Sequence, residues 1–286
     1  NSKKIKRPIM IKPMLAYKVD KKPIDWTKKV FMQPKLDGVR CVATRNGCYT
    51  RTGKQLMNVE HIELSLKPWF EMHPEMILDG ELYNHDLRDN FEKIISLVRK
   101  LKPTDEDRLE ASKMMQYHVY DYITENNDDK YETREANLAC SDFYDECIKY
   151  VPSTLVSNYK EALMIHKVQL AKGYEGSILR LNENYEQKRS YNLQKFKDFH
   201  DTEATIIGYV VGKGKRTGTI GKFLMRDPEG IEFGCPPGKG YNYKDLANML
   251  DNVDDYIGKT ATFTYFERTK ANSYRHPLFK TIRDYE

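Results

Sequence analysis

The sequence has no apolar run approaching the roughly 20 residues needed to cross a bilayer. Its basic start, Asn1 to Arg7, leads into Pro8 and not into an apolar signal core. Cysteine is scarce. The five residues Cys41, Cys48, Cys140, Cys147 and Cys235 form no Cys-x-x-Cys pair, and their odd number argues against a complete disulfide framework. A reducing compartment follows, with Cys41, Cys48, Cys140 and Cys147 expected as small core residues. The seven histidines show no metal-ligand spacing. Internal repeats and long low-complexity segments are also missing, although Glu125 to Lys130 reads as an exposed polar loop. These absences describe a soluble, cytoplasmic protein without membrane contact.

What is present is length and charge. The 286 residues, 40% of them hydrophobic, can build one large core or two modest ones, and two domains are expected, 1–200 and 201–286. Net charge is +5, and Lys and Arg are interspersed with twenty tyrosines. That mixture suits a polyanionic partner without identifying one.

From Val30 to Leu56, short β-rich runs separated by Leu36-Asp37-Gly38, Asn46-Gly47 and Thr52-Gly53 predict an antiparallel meander with Lys35 at a strand end. Phe91, Ile94, Ile95, Val98 and Leu101 recur at helical spacing before Pro103. A second helix is predicted from Asn158 and Glu161 through Leu170, stopped by Gly173. Strands follow at Ser177 to Leu181 and Leu193 to Phe199. Beyond His200, short strands at 205–211, 219–225, 231–233 and 261–266, with one helix near 244–251, predict a five-stranded Greek-key barrel of the OB type.

Lys35 opens Lys-Leu-Asp-Gly, with Arg40 close behind. Alone, this tetrapeptide reads as an ordinary surface hairpin. A lysine at a rigid strand end can also attack phosphorus once it is deprotonated. Glu81 ends the apolar run Met76 to Leu78, and Glu175 stands in a Gly-containing turn, so two strand-end carboxylates could share a divalent ion. Lys195 and Lys197 flank Phe196, an alternation that predicts both ammonium groups on one sheet face. Each of these, taken singly, is also an ordinary solvated terminus or face.

The segments occur in a fixed order: Lys35 to Gly38, Arg51-Thr52-Gly53, Asp79-Gly80-Glu81, Tyr120-Asp121, Glu175-Gly176, Lys195-Phe196-Lys197 and Arg275 to Lys280. This order resembles the motif set of the covalent nucleotidyltransferases, most closely the ATP-dependent DNA ligases of compact bacteriophage type. The resemblance implies an α+β chain in which an antiparallel-sheet nucleotidyltransferase domain, ATP-grasp-like in plan, precedes a C-terminal OB-fold barrel. It implies that Lys35 attacks the α-phosphate of ATP to give lysyl-AMP. The adenylate then passes to the 5′-phosphate of nicked duplex DNA, and a 3′-hydroxyl displaces AMP.

By the same resemblance Tyr120 stacks on adenine, Gln33 reads the adenine edge and Arg40 contacts the ribose and later the nick. Arg51 grips the 5′-phosphate. Glu81 contacts the ribose or Mg²⁺ (or Mn²⁺), and Glu175 serves the metal. Lys195 and Lys197 meet the α-phosphate, while Arg275, Lys280 and Arg283 form a looser C-terminal group that orients pyrophosphate. The expected enzyme is monomeric, in viral or host cytoplasm, serving DNA replication, repair or recombination. The basic loop Lys213-Gly214-Lys215-Arg216 and the stretch Gly234 to Tyr241 are candidate DNA contacts.

Three rivals share parts of this pattern. An mRNA-capping guanylyltransferase uses the same lysine chemistry, and an RNA ligase does so too, without the usual C-terminal barrel. A non-enzymatic OB-containing nucleic-acid binder would have no need of the full charged set. An NAD-dependent ligase needs a further domain before its nucleophile, whereas 34 residues precede Lys35, so ATP is the expected donor.

Overall fold

The structure, a computed structural model, describes residues 11–197 and 199–286. The basic stretch Asn1–Arg7 and Pro8 lie outside the described residues. Along the chain the elements begin with β1 Leu15–Lys18, β2 Val30–Lys35, β3 Val39–Thr44, β4 Gly47–Tyr49, α1 Glu60–Met72 and β5 Ile77–Tyr83. Then come α2 Phe91–Val98, α3 Asp105–Met114, β6 Gln116–Ile123, α4 Tyr131–Ala139, β7 Ile148–Tyr150, β8 Thr154–Val156, α5 Tyr159–Ala171, β9 Gly176–Leu181 and β10 Arg189–Phe196. The remainder is β11 His200–Val211, β12 Ile220–Arg226, β13 Glu232–Cys235, α6 Tyr243–Asp251, β14 Thr260–Tyr265, β15 Glu267–Arg268, β16 Tyr274–Arg275 and β17 Leu278–Ile282. Among the described residues no helix is long and apolar enough to cross a membrane.

Two compact units result. The first holds the described residues up to Asn84, together with Lys100–Phe196 and Glu286, and the second holds His85–Arg99 and Lys197–Tyr285.

The first unit contains two five-stranded sheets, ordered β1-β10-β9-β2-β8 and β4-β3-β5-β6-β7. The expected meander across β2, β3 and β4 is therefore corrected, because β2 and β3 belong to different sheets. The reason is that both edges of β2 are already taken, one by β9 and the other by β8, leaving no ladder for β3. Leu36-Asp37-Gly38 is a crossing between sheets and not a hairpin turn. Gly38 passes so close to β5 that an added Cβ would lie 2.1 Å from the Leu82 carbonyl oxygen, a contact only glycine tolerates.

The helix predicted after Asn158 forms as α5, with the Asn158 side chain accepting from the Glu161 amide and a left-handed Gly173 beyond its end. Helix α1 escaped the sequence because it has no side-chain cap and carries Pro68 in its interior. It is held by packing: Ile62, Leu66, Trp69 and Phe70 are buried on one face.

The second unit is a five-stranded antiparallel sheet, β13-β12-β11-β14-β17. Just past β13 the chain reaches β17, where the Phe279 amide donates to the Pro236 carbonyl at 2.7 Å and the Gly238 amide donates to the Phe279 carbonyl at 2.9 Å. The sheet thus curls on itself as an OB-like domain around Phe223, Met225, Phe263, Tyr274 and Phe279. Helix α6 has a complete capping box between Asn242 and Asp245.

Candidate active site

Strand β9 organises the site. Antiparallel register sets Lys35 opposite Gly176 and Gln33 opposite Ile178, while Ile178 also faces Lys195 on β10. Register partners project from the same sheet face, so Lys35 and Lys195 share one. Lys35 closes β2, and its Nζ lies 2.9 Å from Oε2 of Glu175, the residue just before β9. Both side chains keep about a fifth of their surface exposed, 20% and 19%, so the pair is sheltered yet reachable.

The other sheet supplies Glu81 and Tyr120. Between Asp79 and Gly80 the β5–β6 register slips, pairing Asp79 with Asp121 and Gly80 with Val119, which leaves Tyr120 as the extra residue of a bulge. Bulges re-aim side chains at this kind of position. Gly80 is required there, since a Cβ would stand 2.3 Å from the His118 carbonyl oxygen. The Tyr120 hydroxyl donates to Glu81 Oε1 at 3.2 Å. Burial pushes the Glu81 carboxyl up to about 7, against the opposing pull of Lys35, Arg40 and the Tyr120 hydroxyl. The Tyr120 phenol is pushed well above its ordinary value, first by burial.

Arg40 forms a two-pronged ion pair with buried Asp79, Nε to Oδ1 at 2.6 Å and Nη2 to Oδ2 at 2.7 Å, and donates to the Met14 carbonyl at 2.8 Å. The Tyr185 hydroxyl adds a third bond to Asp79 at 2.7 Å. Despite the cost of burial, Asp79 holds the Arg40 guanidinium well above its ordinary range. Arg40 and Arg180 lie 5.4 and 5.0 Å from the Tyr120 ring centroid. Gln33 is buried with its whole amide engaged. Its Oε1 accepts from Arg180 Nε at 2.6 Å, and its Nε2 donates to the carbonyls of Val151 at 3.0 Å and Tyr120 at 3.4 Å.

Lys35, Glu175, Glu81, Tyr120, Arg40, Gln33 and Lys195 thus form one neighbourhood in the first unit. Arg51 stands on the turn after β4, where its Nε meets Glu286 at 3.0 Å. Lys197 differs from expectation. It lies one residue past β10 and pairs with Asp201 at 3.0 Å, so strand alternation does not extend to it. In the second unit Arg275 pairs with Glu267 at 2.6 Å, Arg283 pairs with Glu203 at 3.0 Å, and the Lys280 ammonium sits 4.5 Å from the Phe91 ring centroid. These three cations make separate contacts.

The sequence offered Asp79 and Asp121 only as neighbours of Glu81 and Tyr120. The structure gives them work as buried anchors: Asp121 accepts from Arg134 Nε at 2.7 Å and Arg180 Nη1 at 2.9 Å. Aspartates inside strands otherwise rich in tyrosine and valine were the available signal, because an unpaired buried carboxylate is not tolerated.

Residues 13–197 match the family described as "ATP dependent DNA ligase domain", and residues 211–283 match "DNA ligase OB-like domain". The DNA ligase of Enterobacteria phage T6 is 26% identical across 86% of this chain, which spans 62% of that protein. For the DNA ligase of African swine fever virus (strain Badajoz 1971 Vero-adapted) the values are 28%, 86% and 64%. The Haemophilus influenzae DNA ligase is 28% identical, with 88% of this chain and 85% of that protein covered. Among solved structures, a minimal-scaffold Lig E DNA ligase superposes with a TM-score of 0.56 at 22% identity, covering 95% of this chain and 99% of that one. Chlorella virus DNA ligase-adenylate gives 0.50 at 25% identity, covering 97% and 99%. With a strand-end lysine beside two carboxylates, a sheet-plus-OB architecture and a catalytic-domain match over most of its length, the chain belongs to the ATP-dependent DNA ligase family.

Proposed function

We propose that this protein is an ATP-dependent DNA ligase that seals nicks bearing a 3′-hydroxyl and a 5′-phosphate, acting as a monomer inside the cell. One observation carries the proposal: the Lys35 amine is held 2.9 Å from Glu175 within electrostatic reach of Glu81. Five free thiols fit a reducing interior; Cys41, Cys48 and Cys235 are buried, whereas Cys140 and Cys147, expected in the core, are exposed and half-buried.

In the first step the neutral Lys35 amine attacks the α-phosphorus of ATP. A P–N bond forms, the bond to the bridging oxygen breaks, and pyrophosphate leaves. Tyr120 offers the adenine a ring, and Gln33 acts on the base through the Tyr120 carbonyl that it holds. Lys195, on the Lys35 face of the sheet, draws charge from the α-phosphate. Arg275, Lys280, Arg283 and Lys197 are assigned to the leaving pyrophosphate and the phosphates behind it. A 5′-phosphate gripped by Arg51 and Arg40 then attacks the lysyl-AMP phosphorus and frees the amine, and the 3′-hydroxyl finally displaces AMP.

Glu81 and Glu175 supply hard oxygen donors beside the reacting amine. Among the described residues no cluster of three or more His, Cys, Asp or Glu forms an all-protein cage. That donor set suits Mg²⁺ or Mn²⁺ shared with a triphosphate. When bound, the ion would neutralise phosphate charge.

The test is incubation with α-labelled ATP and Mg²⁺, followed by nicked duplex. Wild type should acquire covalent label and pass it to DNA, Lys35→Ala should acquire none, and GTP should not substitute. Arg51→Ala should keep self-adenylation and lose sealing. Peptide mass spectrometry that never finds AMP on Lys35 would remove the proposal.

A further inference from the structure

At the β1 edge of the first sheet, four side chains form one stack. The Tyr17 and Tyr191 rings lie 4.0 Å apart and 12° from parallel. The Arg189 guanidinium sits 5.9 Å from the centroid of Tyr17, and the Lys22 ammonium sits 5.3 Å from that of Tyr191. Arg189 is tied further by a 2.6 Å bond from Nη1 to the Ala16 carbonyl. Both cations are exposed. Neighbouring Lys188 is neutralised by Glu186 at 2.9 Å.

Long cationic side chains forfeit rotamer freedom when they grip a ligand. Here each is ordered in advance on its own ring. The rings orient the charges without cancelling them. Because the tyrosine pair separates them, the two cations suit two different anionic groups better than one.

Strand β1 is the sheet edge, and Lys18 on it is the direct register partner of Lys195 on β10. Alternation turns Tyr17, the partner of Gln194, to the other face of the sheet, so the stack shares an edge strand with the site and occupies the opposite face.

We infer that Arg189, Tyr17, Tyr191 and Lys22 form a docking site for the sugar-phosphate backbone of DNA flanking the nick. This rests on the ligase reading of the Lys35 site and adds to it a second, sequence-independent foothold. Arg189 and Lys22 each take a separate phosphate.

The experiment uses the full chain with fluorescent nicked duplex, measuring affinity across a range of salt. The Lys22→Ala/Arg189→Ala double variant should bind about tenfold more weakly near 0.1 M salt. Its plot of log affinity against log salt should be shallower by about two, one for each lost phosphate contact. Its rate of self-adenylation with ATP should match wild type. Tyr17→Phe/Tyr191→Phe keeps the rings and should retain most of the affinity. If alanine unfolds the edge, Lys22→Gln/Arg189→Gln preserves side-chain stems over the rings and gives the same readout. Unchanged affinity and slope in a folded double variant would overturn the inference, whether or not thermal stability drops, because the stack would then only fasten β1 to β10. Wild type that binds no nicked duplex would overturn it as well. Loss of the ligase reading alone looks different: no AMP on Lys35, with duplex binding still dependent on Lys22 and Arg189.

Discussion

The two units solve the problem of a folded interior in opposite ways. The first buries charge: Asp79 and Asp121 face each other across β5 and β6, both fully buried, and between them satisfy Arg40, Arg134 and Arg180. The second buries rings. Phe223 meets Phe279 at 4.7 Å between centroids, Tyr274 meets Phe233 at 4.7 Å and Phe263 at 4.8 Å, and its buried carboxylate, Asp227, sits in a turn bonded to Tyr274 and to the amides of Glu229 and Ile231. An aromatic core fixes shape through area and edge-to-face packing. An ionic core fixes the direction of individual side chains, and the unit with that core is the one holding Lys35, Glu81 and Tyr120. Orientation at the reacting groups is what the buried pairs contribute.

This contrast can be broken experimentally. The largest effect is expected from Asp121→Ala, which strands two guanidinium groups whose side chains are 3% exposed; a loss of about 3–5 kcal/mol should appear in urea unfolding of the first unit. A cost below about 1 kcal/mol would mean that charge does not organise that interior. Next comes Glu81. Its carboxyl is raised to about 7, so from about pH 4.5 to 7 the folded protein holds a proton that the unfolded chain has released, and stability falls as pH rises through that window. Glu81→Gln should abolish this fall, worth about 3 kcal/mol at most, as read from unfolding midpoints at pH 4.5 and 7.5. It should also abolish adenylation, which in wild type is expected to rise with pH through the same region.

In the second unit Phe263→Leu should cost about 1.5 kcal/mol and leave the salt and pH dependence of its unfolding unchanged. A pH-dependent loss there would blur the distinction between the units. The smallest change is expected for Tyr120→Phe. Removing one hydroxyl bond to Glu81 costs about 1 kcal/mol, keeps the ring, and should slow adenylation less than tenfold in a single-turnover assay.

Much of this was legible in the residues. Asn158 with Glu161 announced α5, whereas α3, which opens on a Thr104–Asp107 capping box, was not among the helices expected. The order of short motifs marked Lys35, Glu81, Tyr120 and Glu175; Lys35 ends β2 and Glu175 precedes β9 as expected, whereas Glu81, expected at a strand end, lies inside β5 between β3 and β6, and Tyr120 stands on a bulge within β6. The allotment of β2 and β3 to different sheets was not legible. That outcome depends on β8 and β9 taking both edges of β2 from more than a hundred residues away, and short-range pattern carries no record of such pairing. Nor was the engagement of the Gln33 amide by Arg180 and Val151, since both partners are remote in sequence and neither follows from periodicity.

Gly38 has a consequence beyond its turn. With no side chain between them, the segment that follows the nucleophile and the strand that carries Glu81 touch backbone to backbone, like two plates riveted where the β3–β5 ladder begins. A shift of one plate must drag the other. Ligand-induced movement at either Lys35 or Glu81 would therefore be transmitted mechanically to its counterpart, and even a methyl group inserted at that joint would pry both out of alignment together.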